Sequence, residues 1–512
     1  MYIDTNSGKE GLSKDSVEDI SHREGSGTID TDSLQKDHEL QNTLNKLPNA
    51  FNISFPGQDQ YLKDIYHWAT SSSQESICTV QPDTAQDVAR ILKWIEKARL
   101  PNGSPMPFGV KSGGHTGNPG FSSSPGILIS MKRFNQVVYH PESQTAVIGA
   151  GQIWDDVYEE LARHNVAVLG ARVTHIGVAG FILGGGYSWQ TNQHGLAIDT
   201  VTAFELVKTD GTIVDITEAS DPDLFFALRG GGNNFGIITS FTIKTFPQGL
   251  VWGGPLLLLG KGPDIEEKIK KLFYAVQKFI DGVTDPKAAI LVSLGTMEAD
   301  GPAMLLNFIA FYDGPSPPAG IFDVFQELAP EETSELWKTR TFLDFVQNAM
   351  YYEGSLDRRG AFHTVGLSRY TSELLEAVWE QNERWGSKIP PATTRNLLTY
   401  SVEPFLPNIL SHGSPSAYPP DRSIAFSPFP IYLSWKDPKY DAELQEIMKK
   451  VTQEVQDAAD KYGIMTGPRY PNYAISGTPL EEMYGKNVEK LKEVKAKVDP
   501  SNLMGHAGGF KF

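Results

Sequence analysis

The sequence predicts an α+β fold in two main parts, and three observations carry that expectation. Short apolar runs with strand periodicity alternate with amphipathic helical segments along most of the chain. Clusters of glycine crowd the stretch before Pro247 and then stop, which sets a boundary there. No strand is followed by a Gly-x-Gly-x-x-Gly turn that opens a helix, which argues against a doubly wound nucleotide-binding sheet and a nicotinamide dehydrogenase. The chain divides into a polar N-terminal extension (1–50), a glycine-rich domain (51–248), a second domain (249–460) and a C-terminal segment (461–512) that returns to the first.

The extension mixes Asp, Glu, Ser and Lys and has no apolar core of the kind a secretory signal carries, so a cytoplasmic location is expected. A short helix is expected from Ser33 to Leu47. The sequons at Asn52-Ile53-Ser54 and Asn102-Gly103-Ser104 would matter only in a secreted protein. From Ile77 a strand leads to Asp83-Thr84, which can cap a helix whose Val88, Ile91, Leu92 and Ile95 recur at helical spacing. Strands follow at Gly126–Met131, Gln136–His140 and Thr145–Gly149, then a helix at Ile153–His164. Asp210-Gly211 joins Thr202–Lys208 and Thr212–Ile216 as a hairpin. Asp221 caps a short helix ending at Leu228, and Gly236–Phe246 is a long strand. In the second domain the pattern gives a helix through Ile265, Ile269, Leu272, Val276 and Phe279. It adds strands at Ala289–Gly295, Ala303–Tyr312 and Ile424–Trp435, and a helix at Ser372–Arg384. Tyr351, Tyr352, Phe405, Phe426, Phe429, Tyr432 and Trp435 are candidates for a pocket lining, although aromatic residues also dominate ordinary cores.

The first stretch with chemical content is Lys111-Ser112-Gly113-Gly114-His115-Thr116-Gly117, directly after the strand end Phe108-Gly109-Val110. Adjacent glycines open backbone conformations closed to residues with a Cβ, so several N–H groups can face one concavity and hold the anionic oxygens of a diphosphate. His115 offers an imidazole at the mouth of that turn. Alone, so short a motif also reads as a tight turn with an ordinary histidine. Two further runs accompany it. One is Gly170-Ala171-Arg172-Val173-Thr174-His175-Ile176-Gly177-Val178-Ala179-Gly180-Phe181-Ile182-Leu183-Gly184-Gly185-Gly186-Tyr187, followed by Gly195-Leu196-Ala197-Ile198-Asp199. The other is Arg229-Gly230-Gly231-Gly232-Asn233-Asn234-Phe235-Gly236-Ile237.

This set, in this order, resembles the flavin-binding domain of the vanillyl-alcohol-oxidase-like (PCMH-type) flavoproteins. More narrowly it is similar to the berberine-bridge-enzyme-like FAD-linked oxidases, from about Ile77 to the carboxyl end. The resemblance implies a PCMH-type FAD-binding domain, an α+β substrate-binding lid domain, and FAD as cofactor. It places Lys111, Ser112, Gly113, Gly114, His115, Thr116 and Gly117 around the flavin. From the second run it adds Gly170, Val173, Thr174, Ile176, Gly177, Gly180, Gly184, Gly185, Tyr187, Gly195 and Ile198, and from the third Gly236 and Ile237. In the family the Gly-Gly-His histidine is bonded through a ring nitrogen to the 8α-methyl of the isoalloxazine, which implies covalent FAD at His115. A cysteine forms a second link in one branch. Val173 stands at that position and the sole cysteine, Cys78, falls in the first strand, so no second link is expected. The segment Tyr470-Pro471-Asn472-Tyr473-Ala474 resembles the one that comes back to the isoalloxazine. It implies Tyr473 as the catalytic base, Tyr470 as its partner or a substrate contact, and Asn472 as a flavin contact; a structural tyrosine in a domain interface is the other reading of Tyr473.

The implied activity is hydride transfer to flavin N5 from an alcohol, amine or activated C–H of a small organic, secondary-metabolite-like substrate. Oxygen is the expected acceptor, giving hydrogen peroxide. In the family, valine at the Ile176 position goes with oxidase behaviour, and Ile176 is one methylene larger, so a dehydrogenase using another acceptor stays open. So do a carbohydrate oxidase and a flavoprotein with structural FAD that catalyses a redox-neutral cyclisation or isomerisation. A phenol with an ordinary pKa near ~10 needs a neighbouring cation or hydrogen-bond donor to serve as base at neutral pH; a Lys or Arg of the lid could serve, and the sequence assigns none. A net charge of −17 and the absence of a basic patch argue against nucleic acid as partner. No apolar run reaches the ~18 residues of a membrane span, so no membrane partner is expected.

Overall fold

The computed structural model describes residues 52–299, 301–326, 328, 336–348, 357–389 and 397–512. The helix expected over Ser33 to Leu47 and the pair Tyr351 and Tyr352 lie outside them. Thr84 starts the helix Ala85–Lys97 as expected, through a capping box: Asp87 N donates to Thr84 Oγ1 (3.2 Å) and Thr84 N donates to Asp87 Oδ2 (3.0 Å). Its Val88, Ile91, Leu92 and Ile95 are buried in the core of the glycine-rich part. The first sheet orders the strands Asn52–Ser54, Cys78–Gln81, Ile127–Ser130 and Phe108–Lys111. The last three run parallel, and their near-continuous burial is what a parallel sheet covered on both sides requires. Cys78 is fully buried there, and burial pushes its thiol up to about 12, so it acts as a small hydrophobe.

A second, antiparallel sheet orders Val137–His140, Thr145–Gly149, Ile237–Lys244, Val201–Val207 and Ile213–Ile216. The expected hairpin is present: Phe204 to Val207 pair with Ile216 to Ile213, and Gly211 takes the positive φ (+81°) that the turn demands. Helices Trp154–Ala162 and Pro222–Leu228 fall where the sequence puts them.

The third sheet has eight strands, in the order Lys338–Arg340, Val251–Gly260, Gly301–Tyr312, Ala288–Ala299, Leu397–Val402, Ser427–Trp435, Arg359–Leu367 and Thr466–Gly467. Helices Pro263–Gly282, Ser372–Gly386 and Asp441–Lys461 cover one face, onto which Ile290, Val292, Phe308, Phe429 and Trp435 project. The opposite face packs Ala289, Leu291, Ile309 and Phe311 into the core of the glycine-rich part. This alternation corrects two pocket candidates. Phe429 and Trp435 point to the helices, whereas Tyr432, of opposite parity, points to the glycine-rich side, where Phe405 also packs, against Tyr187. The strand Ala288–Ala299 runs four residues beyond the expected Gly295. Not anticipated were the strands Val251–Gly260, Arg359–Leu367 and Leu397–Val402 and the 21-residue helix Asp441–Lys461.

Replacing Thr84 by Ala is expected to lower stability by ~1 kcal/mol in chemical denaturation without changing the flavin content of the folded protein. A loss of bound flavin would show that this cap supports more than its helix.

Candidate functional site

The strand Phe108–Lys111 delivers the first glycine turn, and the helix Trp154–Ala162 anchors the second run beside it. Buried Asp155 accepts hydrogen bonds from Thr174 Oγ1 and from His175 N (2.8 Å), while Trp154 N donates to Ile176 O (3.0 Å) and Val178 N to Gln152 O (2.9 Å). The two turns then meet backbone to backbone. A Cβ on Gly113 would come within 2.6 Å of Gly177 N, and one on Gly177 within 2.4 Å of Gly113 N. Gly114 has φ +70°. Gly170 lies flat on the rings of Trp154 and Tyr158, where a Cβ would sit 2.3 Å from either.

Lys111 turns away from the concave side of its own turn. Its ammonium donates to Asp64 O (2.6 Å) at the C-terminal end of the helix Asp59–Ile65, a favourable place for a cation, and burial draws its pKa down to about 8. It therefore braces the turn from beneath. Beside it, the His67 ring bridges Ile65 O (2.8 Å) and Ser122 Oγ (2.9 Å), and is pushed down to about 4 by burial and then by Lys111.

His115 stacks on Trp68, with ring centroids 4.4 Å apart and 9° between planes. It keeps some accessible surface at the floor of a crowded recess, and burial, with His175 adding to it, lowers its pKa to about 4. The imidazole is thus neutral at pH 7 and keeps a lone pair on one nitrogen. Trp68 also touches Tyr432 (5.6 Å) and Phe362 (6.0 Å) of the eight-stranded sheet, and Gly117 lies against Gly360 O, so the turn abuts the lid. Thr116 Oγ1 accepts from Asn118 N (3.2 Å).

Further along the second run, Gly186 N and Asn472 Nδ2 both donate to the Tyr470 hydroxyl (3.0 and 2.9 Å), and Asn472 packs over Gly184. Gly185 has φ +125°, and its carbonyl accepts from Ile198 N (3.1 Å). Gly195, at φ +86°, lies by the Asp199 carboxylate. Tyr187 meets Tyr470 edge-on at 4.9 Å. Val173 and Ile176 are half-buried, and a Cβ at Gly180 would meet nothing within 4 Å. The third run joins the second through Gly232 N to Leu183 O (3.0 Å). Gly236 and Ile237 sit lower, inside the second sheet: Gly236 presses on Val207 O and Ile237 is in the core.

One cluster joins Tyr473 to two residues not singled out for chemistry above. Arg172 Nη2 pairs with Glu403 Oε2 at 2.7 Å and donates to the Tyr473 hydroxyl at 3.0 Å, with the side chains of Arg172 and Glu403 8% and 3% exposed. The cation beside Tyr473 is therefore Arg172 of the second glycine run, and the lid supplies its counter-charge. Burial opposes the Arg172 charge, but Glu403 outweighs it and holds the guanidinium above its usual range. Glu403 is pushed up by burial against the pull of Arg172. Tyr473 is pushed up by burial and then by Glu403, and Tyr470 reaches about 12 through burial. Burial favours the neutral phenol at Tyr473, and the Arg172-bound carboxylate of Glu403 stands beside it as a second candidate for the base. Arg172 could have been noticed as a charge inside an otherwise uncharged run. Glu403 closes a strand 231 residues away, and only the tertiary pairing reveals it.

A family model described as an FAD binding domain matches residues 76–217, and one described as berberine and berberine like matches residues 470–509. The chain is 30% identical over 459 residues to the FAD-dependent monooxygenase tpcD of Cochliobolus heterostrophus, covering 87% of this chain and 86% of that protein. It belongs to the berberine-bridge-enzyme-like FAD-linked oxidoreductases. An uncharacterized FAD-linked oxidoreductase of Arthroderma benhamiae is 35% identical over 289 residues, covering 56% of this chain and 55% of its own, so the chain spans about half the length of that curated relative. The 6-hydroxy-D-nicotine oxidase of Arthrobacter nicotinovorans superposes with a TM-score of 0.71 at 20% identity, covering 90% of this chain and 97% of that one, and shares the PCMH-type fold.

The residues present fit an FAD of this family. Ser112 Oγ is buried with no hydrogen-bond partner, the kind of group a bound diphosphate oxygen satisfies, and it lies in the crevice where the two glycine turns meet. Among the described residues no cluster could hold a metal ion, and no helix is long and apolar enough to cross a membrane.

Because Gly113 and Gly177 touch through their backbones, Gly177→Ala is expected to part the two turns. Purified variant should keep its far-ultraviolet circular dichroism yet carry well under half the wild-type flavin, read as absorbance near 450 nm against 280 nm. Full occupancy would mean that the contact is not needed for cofactor binding.

Proposed function

We propose that this chain oxidises a small organic substrate with FAD, taking a hydride from an alcohol, amine or activated C–H, with oxygen as the acceptor. The observation that carries the reading is the Arg172–Glu403–Tyr473 cluster, buried at the seam where the lid meets the glycine turns. FAD in this site supplies the hydride acceptor, N5 of its isoalloxazine. What remains for the protein is to hold that group, orient the substrate and remove a proton.

Glu403 takes the proton. It is a carboxylate whose pKa burial raises, held by Arg172 at the end of a lid strand beside the glycine turns. Arg172 fixes the carboxylate and, through its hydrogen bond to Tyr473, sets where that hydroxyl points. Tyr470, its oxygen already accepting from Gly186 N and Asn472 Nδ2, has its O–H left to donate to a ligand. Covalent attachment through His115 alone is part of the proposal. It is supported by the neutral, Trp68-stacked imidazole, and by Val173 in place of a second anchor. Ile176, half-buried on the second turn, narrows the approach of oxygen.

Deprotonation of Glu403 is completed as pH rises through its elevated pKa. Flavin reduction under anaerobic conditions is therefore expected to speed up with pH, with the midpoint of that limb above the ordinary carboxylate range near ~4.3. Glu403→Gln should remove the limb and slow reduction by about 10²–10⁴-fold, whereas Tyr473→Phe should cost ~10-fold or less and keep it. An unchanged pH profile in Glu403→Gln would sink the assignment. Under air, one hydrogen peroxide per substrate identifies the oxidase, while oxygen appearing in the product, or fast dye reduction without peroxide, excludes it.

A further inference from the structure

The face of the eight-stranded sheet that turns toward the glycine-rich part is mostly apolar, but one row across three strands is not. Ser293 pairs in register with Asn307 on one neighbouring strand and with Ser401 on the other. All three share the parity of Leu291 and Ile309, which pack into the core of the glycine-rich part. Glu403, two residues past Ser401, has the same parity and reaches Arg172. The row therefore lies one step from the proton-accepting carboxylate, about 7 Å along the strand, with Asn307 two strand spacings further across, ~10 Å.

The row is polar without being satisfied. Ser293 Oγ and Ser401 Oγ share one hydrogen bond of 2.8 Å, which leaves a hydroxyl hydrogen and lone pairs over. Asn307, 8% exposed, has no hydrogen bond to its carboxamide among the described residues, and neither has the hydroxyl of Thr399, two residues before Ser401 on the same face. None of these polar atoms is sealed from solvent, and Leu257, opposite Asn307, is 41% exposed, so this part of the face opens to a ligand; the adjoining positions are filled by Leu257, Leu291, Leu305 and Ile309. Beyond Thr399 the face continues into Tyr432 and Phe362, whose rings stack at 4.5 Å.

We infer that Asn307, Ser293 and Ser401 form a subsite for an oxygen atom at the far end of the substrate, and that the substrate is an uncharged aromatic compound oxygenated at both ends. One end presents its reacting bond to Glu403. The other exchanges hydrogen bonds with the row, whose groups both donate and accept and carry no charge, while the ring system lies against apolar and aromatic neighbours. This deepens the proposed function and rests on it for the identity of the reacting end.

Binding separates the two claims. Oxidised holoprotein is titrated with naphthalene-2,6-diol and with 2-naphthol, which lacks the second oxygen, and the flavin absorbance change is followed. The diol is expected to bind about tenfold more tightly, ~1.4 kcal/mol. That preference should fall to within twofold in Asn307→Leu and in Ser401→Ala, and survive in Thr296→Val, on the helix-covered face of the same sheet. Equal affinity in the wild type, no binding of either compound up to its solubility, or a preference that persists in both row variants overturns the subsite. Should Asn307→Leu melt far below wild type, Ser401→Ala decides. Glu403→Gln removes a contact that both compounds share and should therefore keep their affinity ratio while it slows flavin reduction, so the two failures are distinguishable.

Discussion

Two stretches of backbone that no side chain separates set the geometry of this molecule. Gly113 and Gly177 lie so close that either Cβ would overlap the other's amide, and everything of chemical interest is placed relative to that contact. It brings the end of a parallel strand against the start of a helix, fixes Ser112 Oγ in the crevice between, and leaves His115 at the rim, flat on Trp68. The supports are ordinary physical chemistry applied in layers. Asp155 gathers two donors of the second turn, and Lys111 caps a helix end beneath the first. Both braces are buried, where hydrogen bonds and charges act through a low effective dielectric.

The lid is joined to this centre by a buried ion pair. Removing one partner of such a pair typically costs ~3–5 kcal/mol, because the other is left charged and dry. Arg172 and Glu403 therefore tie the second glycine run to the sheet's inner face while sharing Tyr473 between them. The same burial that makes the pair costly to break lifts Glu403 and both tyrosines above their usual pKa ranges. Phe362 and Tyr432 continue the seam toward Trp68, so one aromatic layer runs from His115 to Tyr473.

What could be read from the sequence was whatever depends on short-range pattern. The helix after Thr84, the hairpin at Asp210-Gly211 and the glycine turns carry their cause within a few residues, and they are present as expected. Family resemblance added the fold and the cofactor. What escaped depends on parity and distance. Phe429 and Trp435 looked like pocket residues because aromatic content does not reveal which face of a strand is inward. Glu403 was one acidic residue among many until the sheet register set it opposite Arg172. Lys111 sits in the motif, yet the helix end that attracts its ammonium lies 47 residues away. The helix Asp441–Lys461 was legible, since Leu444, Ile447, Met448, Val451 and Val455 recur at helical spacing, and was not read.

The account stands on the first turn holding FAD with His115 bonded to it. Acid precipitation of purified wild-type protein, followed by absorbance of pellet and supernatant, is the most direct test. Flavin absorbance is expected to stay with the wild-type polypeptide and to move to the supernatant for His115→Ala. Wild-type protein that releases all of its flavin would contradict the attachment, and colourless protein that takes up no FAD would contradict the site itself.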